Sequence, residues 1–84
     1  MSEQARTKKV TTQQIMRDAD FIRGVDDVRA GRAPAYDDYV GWNYERGRLF
    51  GRIAPVSLPI NVEGKLNPKA VALLDAAFAR GLVL

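Results

Sequence analysis

Apolar residues recur every three or four positions over residues 12–30, which predicts an amphipathic helix there. The apolar positions of this first helix are Ile15, Ala19, Phe21, Ile22, Val25 and Val28. Thr11 and Gln14 match a capping box, and Gly31 followed by Pro34 is typical of a helix end. We therefore expect helix one to run from about residue 12 to about residue 30.

A second apolar stripe predicts a helix over about residues 38–53. The apolar positions of this second helix are Trp42, Leu49 and Ile53. Gly47 and Gly51 lie inside the same segment, where each costs about 1 kcal/mol relative to alanine. Their spacing of four places both on one side of the helix, where a neighbouring backbone or a ligand could approach closely. Of the two, we expect a neighbouring helix to pack there.

The last periodic segment predicts a third helix over about residues 68–80, because Asn67 followed by Pro68 is a typical helix start and Gly81 a typical end. Residues 1–10 are polar, basic and without periodicity, which indicates a flexible arm.

The predicted fold is all-α, with residues 11–84 forming one small helical domain. Helices one and two would form a hairpin, braced by the segment between Pro55 and Pro59 and by the third helix. The expected core residues are Ile15, Ile22, Val25, Trp42, Leu49, Ile53, Leu74 and Phe78.

The chemistry that the chain offers is limited, since it contains neither Cys nor His. Without Cys, disulfides and thiolate metal sites are excluded. Without His, the chain lacks the commonest acid–base group and the commonest metal ligand. The adjacent pairs Asp26–Asp27 and Asp37–Asp38 would point about 100° apart on a helix and would not converge on one atom. No P-loop, dinucleotide-binding glycine motif or serine elbow occurs. We expect no enzyme, no cofactor and no metal site.

The net charge of +3 comes from 13 basic and 10 acidic side chains. Most of the excess lies in residues 1–10, which have three basic residues and one acidic residue. The pI alone therefore does not indicate a nucleic-acid-binding protein. No run approaches the roughly 18 apolar residues of a membrane span, and the N-terminus is not that of a secretory signal. The expected location is the cytoplasm of a bacterium or of a phage-infected cell.

The segment WNYERGRLFGR, residues 42–52, combines aromatic and arginine side chains on one predicted helix. The planar guanidinium of arginine binds phosphate or carboxylate through two hydrogen bonds. If Glu45 pairs with Arg48, Arg46 and Arg52 are the arginines best able to contact a partner. The candidate contact residues are Tyr44, Arg46, Arg48 and Arg52, with Lys8 and Lys9 of the arm. The alternative is a solvated helix face whose arginine stems cover Trp42.

Short motifs around this segment resemble the ribosome modulation factor family of very small bacterial and phage proteins. The matching features are Arg23-Gly24, Gly31-Arg32, Pro34, and a Trp-led helix that contains glycine, with Trp42 and Gly47. The resemblance covers about residues 21–51. It implies two helices joined by a connector that bind ribosomal RNA and protein and silence translation, with Arg23, Arg32 and Trp42 at the matching positions.

Two functions stay open. The first is a non-enzymatic binding protein that modulates a nucleoprotein machine, with the ribosome or its RNA as partner, through the arginine and aromatic face of helix two. The second is a phage-encoded inhibitor of a host protein–nucleic-acid complex, such as an anti-CRISPR protein, because a surface that mixes Asp and Arg suits a protein target equally well. A third, weaker possibility is a homodimer formed through Leu82, Val83 and Leu84.

Overall fold

The computed structural model describes residues 10–34 and 41–83. Within these residues it has four helices and one two-stranded antiparallel sheet, which confirms the helical class and adds a strand pair that was not predicted. The elements in chain order are α1 (Thr12–Arg17), α2 (Ala19–Arg29), α3 (Trp42–Ile53), β1 (Asn61–Val62), β2 (Lys65–Leu66) and α4 (Pro68–Ala79). Lys8, Lys9, most of the predicted arm, Asp37, Asp38 and Leu84 lie outside the described residues.

The first predicted helix is two helices that meet at Asp18. The capping box is present, with the amide of Gln14 donating to Thr11 Oγ1 over 3.1 Å and the amide of Thr11 donating to Gln14 Oε1 over 2.8 Å. Asp18 then adopts an extended backbone with ψ 133°, and its carboxylate accepts from the amide of Asp20 over 2.8 Å. The expectation of one unbroken helix is wrong because a short acidic side chain caps a new helix at this point.

The other predicted helix ends are largely confirmed. Gly31 and Gly81 adopt left-handed backbone conformations, with φ 75° and 73°, directly after α2 and α4. Asn67 caps α4 by accepting from the amide of Lys69 over 3.1 Å. The helix α3 begins at Trp42, after an extended Gly41, rather than at residue 38, and residues 38–40 lie outside the described residues.

The helices α2 and α3 lie side by side and run parallel, so they do not form the predicted hairpin. Near their N-terminal ends, Asn43 donates its side-chain amide to the Asp18 carboxylate over 2.9 Å. Near their C-terminal ends, the Arg29 guanidinium donates to the carbonyl oxygens of Pro55 and Leu58 over 3.0 and 2.8 Å. Antiparallel helices would instead place the start of one beside the end of the other.

Glycines allow the backbones of α2 and α3 to touch. A Cβ atom on Gly47 would lie 2.1 Å from the carbonyl oxygen of Phe21, and one on Gly24 would lie 2.2 Å from that of Tyr44. Gly51 faces the Val28 side chain less tightly, at 3.2 Å. The expected close packing at Gly47 and Gly51 is present, and Gly24 is its counterpart on α2.

Two residues of α3 that were expected in the core, Trp42 and Ile53, lie at the surface. Trp42 is 65% exposed and Ile53 is 39% exposed. The side of α3 that faces α2 carries Tyr44, Gly47 and Gly51, which lie opposite Trp42 on the helix. The largest fully buried side chains are Tyr44, Phe21, Phe50, Met16, Leu74 and Val25. Of the other expected core residues, Ile15 is buried, whereas Ile22, Leu49 and Phe78 are half-buried.

The C-terminal half packs on α1 through the strand pair and α4. Glu63 and Gly64 both have positive φ and form the two-residue turn between β1 and β2. The Thr12 hydroxyl donates to the Asp75 carboxylate and thereby joins α1 to α4. Val83 is only 3% exposed and packs in the core of its own chain, which removes it from the contact surface expected for a homodimer, while Leu82 is 47% exposed.

Candidate functional site

The side of α3 that points away from α2 combines aromatic, aliphatic and basic side chains. We call this surface the outer face; it consists of Trp42, Arg46, Leu49 and Ile53, which recur at steps of three or four, with Arg52 at its edge. Trp42, Arg52 and Ile53 are exposed, whereas Arg46 and Leu49 are half-buried. The outer face is exposed because the glycines turn the opposite side of α3 onto α2.

Hydrogen bonds hold Arg46 one turn away from Trp42. The Arg46 Nη1 atom donates to Asn43 Oδ1 over 2.8 Å, and Asn43 in turn donates to Asp18 over 2.9 Å. This chain of contacts fixes the Arg46 side chain against the N-terminal ends of α2 and α3. Arg46, held in this way, lies four positions after Trp42 on the same side of α3, at one end of the outer face.

Tyr44 and Arg48 do not belong to the exposed contact surface expected from the sequence. Tyr44 has no exposed surface, and its hydroxyl donates to Asp27 Oδ2 over 2.7 Å. Arg48 is 6% exposed and donates to the carbonyl oxygen of Arg32 over 3.3 Å, instead of pairing with Glu45. Both side chains lie on the α2 side of α3, where they stabilise the helix pair.

Arg23 and Arg32, the two contact residues expected on α2 and just after it, lie beside this buried pair rather than on the outer face. The Nε atom of Arg32 lies 2.8 Å from Asp27 Oδ1, and 59% of the Arg32 side chain remains exposed. The guanidinium carbon of Arg23 lies 5.2 Å from the centroid of the Tyr44 ring, within the range of a cation–π contact. The predicted contact residues are thus divided between the outer face and an inner cluster around Asp27.

Asp27 is the central acceptor of the inner cluster. The hydrogen bond from the Tyr44 hydroxyl holds the pKa of Asp27 below its ordinary value of 3.8, and the hydrogen bond from Arg32 acts in the same direction. Burial raises this pKa, and the charges of Arg32 and Arg23 lower it. The contact between Tyr44 and Asp27 could not be found from local sequence spacing, because the two residues are 17 positions apart.

This lowered pKa predicts a loss of stability in acid. An ionised Asp27 contributes fully above the pKa of the unfolded chain, and the contribution disappears as the pH falls through the lower pKa of the folded state. We expect the stability difference between the wild type and Asp27→Asn to be largest above about pH 4 and to shrink below it. Urea unfolding between about pH 2 and about pH 6 measures it.

Asp26→Asn, a change at the exposed neighbour on α2, controls for the loss of one carboxylate. If the free energy of unfolding of the wild type exceeded that of Asp27→Asn by the same amount at every pH, the lowered pKa of Asp27 would be contradicted.

Comparisons with protein-family models, curated proteins and solved structures give no match to this chain. Within residues 10–34 and 41–83, no three acidic side chains come together to hold a metal ion. Over the same residues, no helix has the length and apolarity needed to cross a membrane. The functional interpretation therefore depends on the outer face and its neighbours.

Proposed function

We propose that this protein is a stoichiometric, non-enzymatic binding protein that modulates a ribosome- or RNA-containing machine through the outer face of α3. The observation that carries the proposal is the exposure of Trp42 beside Arg46. An indole that is 65% exposed contributes little to the core and leaves its ring available to a partner. It is also the only Trp in the chain.

The side chains of the outer face suit nucleic acid in two ways. Stacking of a base on an aromatic ring is worth about 1–3 kcal/mol and does not depend on sequence. Arg46 and Arg52 add guanidinium groups that bind phosphate oxygens through paired hydrogen bonds. The resemblance to the ribosome modulation factor family supports the ribosome as the target, since Trp42 is one of its matching positions.

A second function, inhibition of a host protein–nucleic-acid complex, is supported by the apolar part of the same face. Ile53 is 39% exposed and Leu49 is half-buried, both on the side of Trp42. Tryptophan and arginine surrounded by aliphatic side chains are typical of protein–protein binding hot spots. Binding to a protein would bury these aliphatic groups, whereas contacts with phosphate and bases would not require them.

Cosedimentation with purified bacterial ribosomes tests the first function. We expect the wild-type protein to pellet with ribosomes at low salt and to dissociate as salt rises, because the free energy gained by releasing counterions from RNA falls at higher salt concentration. Trp42→Ala, and Arg46→Glu combined with Arg52→Glu, should each weaken binding by about tenfold or more.

Lys69→Glu combined with Arg80→Glu is the matched control, since it makes the same change in net charge at exposed positions on α4 and its C-terminal end. Loss of binding in the control as well would show a non-specific charge effect. Wild-type protein that stays in the supernatant at low salt would reject the ribosome as the target. A pull-down with the wild type and the outer-face variants would then test the second function, inhibition of a host protein–nucleic-acid complex.

A further inference from the structure

A groove on the other half of the molecule has the properties of a second binding site. It lies between α1, the strand pair and α4, with a volume of about 670 Å³. Its aliphatic lining includes Leu66, Val71 and Ala72. The outer face of α3 contributes nothing to this lining, so the groove is independent of the function proposed above.

The charges of the groove are unbalanced. Arg17, Lys65 and Asp75 line it. The carboxylate of Asp75 already accepts the hydroxyl of Thr12, whereas the Arg17 guanidinium and the Lys65 ammonium have no hydrogen bond or ion pair within the described part of the chain. Among the described residues, two cations without partners therefore lie beside the aliphatic side chains of a mixed polar and apolar groove that is open to solvent.

We propose that this groove binds an acidic, partly apolar peptide segment of another protein. Carboxylates of the segment would pair with Arg17 and Lys65, and its apolar side chains would cover Leu66 and Val71. RNA suits this groove less well than a peptide, because no aromatic side chain lines it and bases would have no ring on which to stack.

The strand pair supports an extended peptide in particular. The sheet has only β1 and β2 in the described residues, so each strand is paired along one edge. Asn61, Gly64 and Lys65 of this strand pair and its turn line the groove. An extended segment commonly adds to such an edge through main-chain hydrogen bonds, while its alternate side chains point into the adjacent surface.

Binding of two synthetic peptides to the full chain tests the proposal. One is a short fluorescein-labelled peptide of alternating leucine and glutamate, and the other has glutamine in place of glutamate. We expect fluorescence anisotropy to show binding of the glutamate peptide that is about tenfold or more tighter than that of the glutamine peptide. Backbone amide NMR shifts should cluster at Asn61, Gly64, Lys65 and Ala72.

Charge reversal within and outside the groove locates the site. Arg17→Glu combined with Lys65→Glu should weaken binding of the glutamate peptide by about tenfold or more. Lys69→Glu combined with Arg80→Glu makes the same change in net charge outside the groove and should leave the affinity within about threefold of wild type. Circular dichroism of both variants checks that they fold.

Three results would overturn the proposal. They are equal affinity for the two peptides, equal loss of affinity in the two charge variants, and NMR shifts confined to α2 and α3. Tighter binding of a short oligouridine than of the glutamate peptide, with shifts at the same groove amides, would be a fourth such result and would assign the groove to RNA.

Discussion

Gly47→Ala should destabilise the protein by about 3 kcal/mol or more, the upper part of the range for overpacked cores. The added methyl group would lie 2.1 Å from the carbonyl oxygen of Phe21 and 2.9 Å from its carbonyl carbon. Both atoms belong to the backbone of α2, so the contact is relieved only if the two helices move apart. A chain of 84 residues has a total stability of roughly 4–13 kcal/mol, and such a loss would be a large part of it.

Gly51→Ala is the matched control because it is the same change, one turn later in the same helix. Its methyl group would lie 3.2 Å from Val28 Cβ and 3.3 Å from the carbonyl oxygen of Val25, where a shift of a few tenths of an ångström relieves the contact. Alanine is also favoured over glycine within a helix by about 1 kcal/mol, which offsets the tighter contact. We expect Gly51→Ala to change the free energy of unfolding by about 1 kcal/mol or less in either direction.

Gly24→Ala should resemble Gly47→Ala, since its methyl group would lie 2.2 Å from the Tyr44 carbonyl oxygen. Urea unfolding followed by far-ultraviolet circular dichroism gives the three free energies. Equal effects of Gly47→Ala and Gly51→Ala would show that α2 and α3 are not packed backbone to backbone.

Tyr44→Ala should lower the free energy of unfolding far more than Trp42→Ala, although the two aromatic residues are only two positions apart. Tyr44 is fully buried, and its loss leaves a cavity and removes the hydroxyl that binds Asp27, so we expect a cost of about 3–5 kcal/mol. Trp42 is 65% exposed, and its loss should cost less than about 1 kcal/mol.

Thermal unfolding of the two variants measures this contrast, and the ribosome-binding assay complements it. Trp42→Ala should be folded but deficient in binding, which separates a contact residue from a core residue. A Trp42→Ala protein as unstable as Tyr44→Ala would contradict the orientation of α3 and return Trp42 to the core.

The helix ends could be predicted from the sequence because they depend on nearest neighbours. A capping box at Thr11 and Gln14, a left-handed glycine at Gly31 and the Asn67–Pro68 start each involve only a few adjacent residues. The break at Asp18 also has a local cause, but the apolar spacing across it continues unbroken and conceals it. The strand pair was missed because each strand has only two residues, too few for any alternation to be visible.

The orientation of α3 was not predictable from apolar periodicity. Its packed side carries Gly47, Gly51 and Arg48, which are weakly apolar or charged, whereas its exposed side carries Trp42 and Ile53. A hydrophobic pattern detects side chains, and the closest helix contact here is made by backbone atoms. For the candidate site, the expectation that Arg46 and Arg52 contact a partner stays a prediction. Trp42 was expected in the core but is exposed, and Tyr44 and Arg48 were expected on the surface but are buried.

The parallel arrangement of α2 and α3 has an electrostatic consequence. Antiparallel helices partly cancel each other's dipoles, whereas parallel neighbours place two positive ends together and two negative ends together. Asp20 and Glu45 lie in the first turns of the two helices, and Arg29 and Arg52 lie in the last turns. Each such charge is worth about 0.3–1 kcal/mol at low ionic strength. The four charged side chains therefore compensate a dipole that the parallel packing itself creates, and this compensation is weakened by salt.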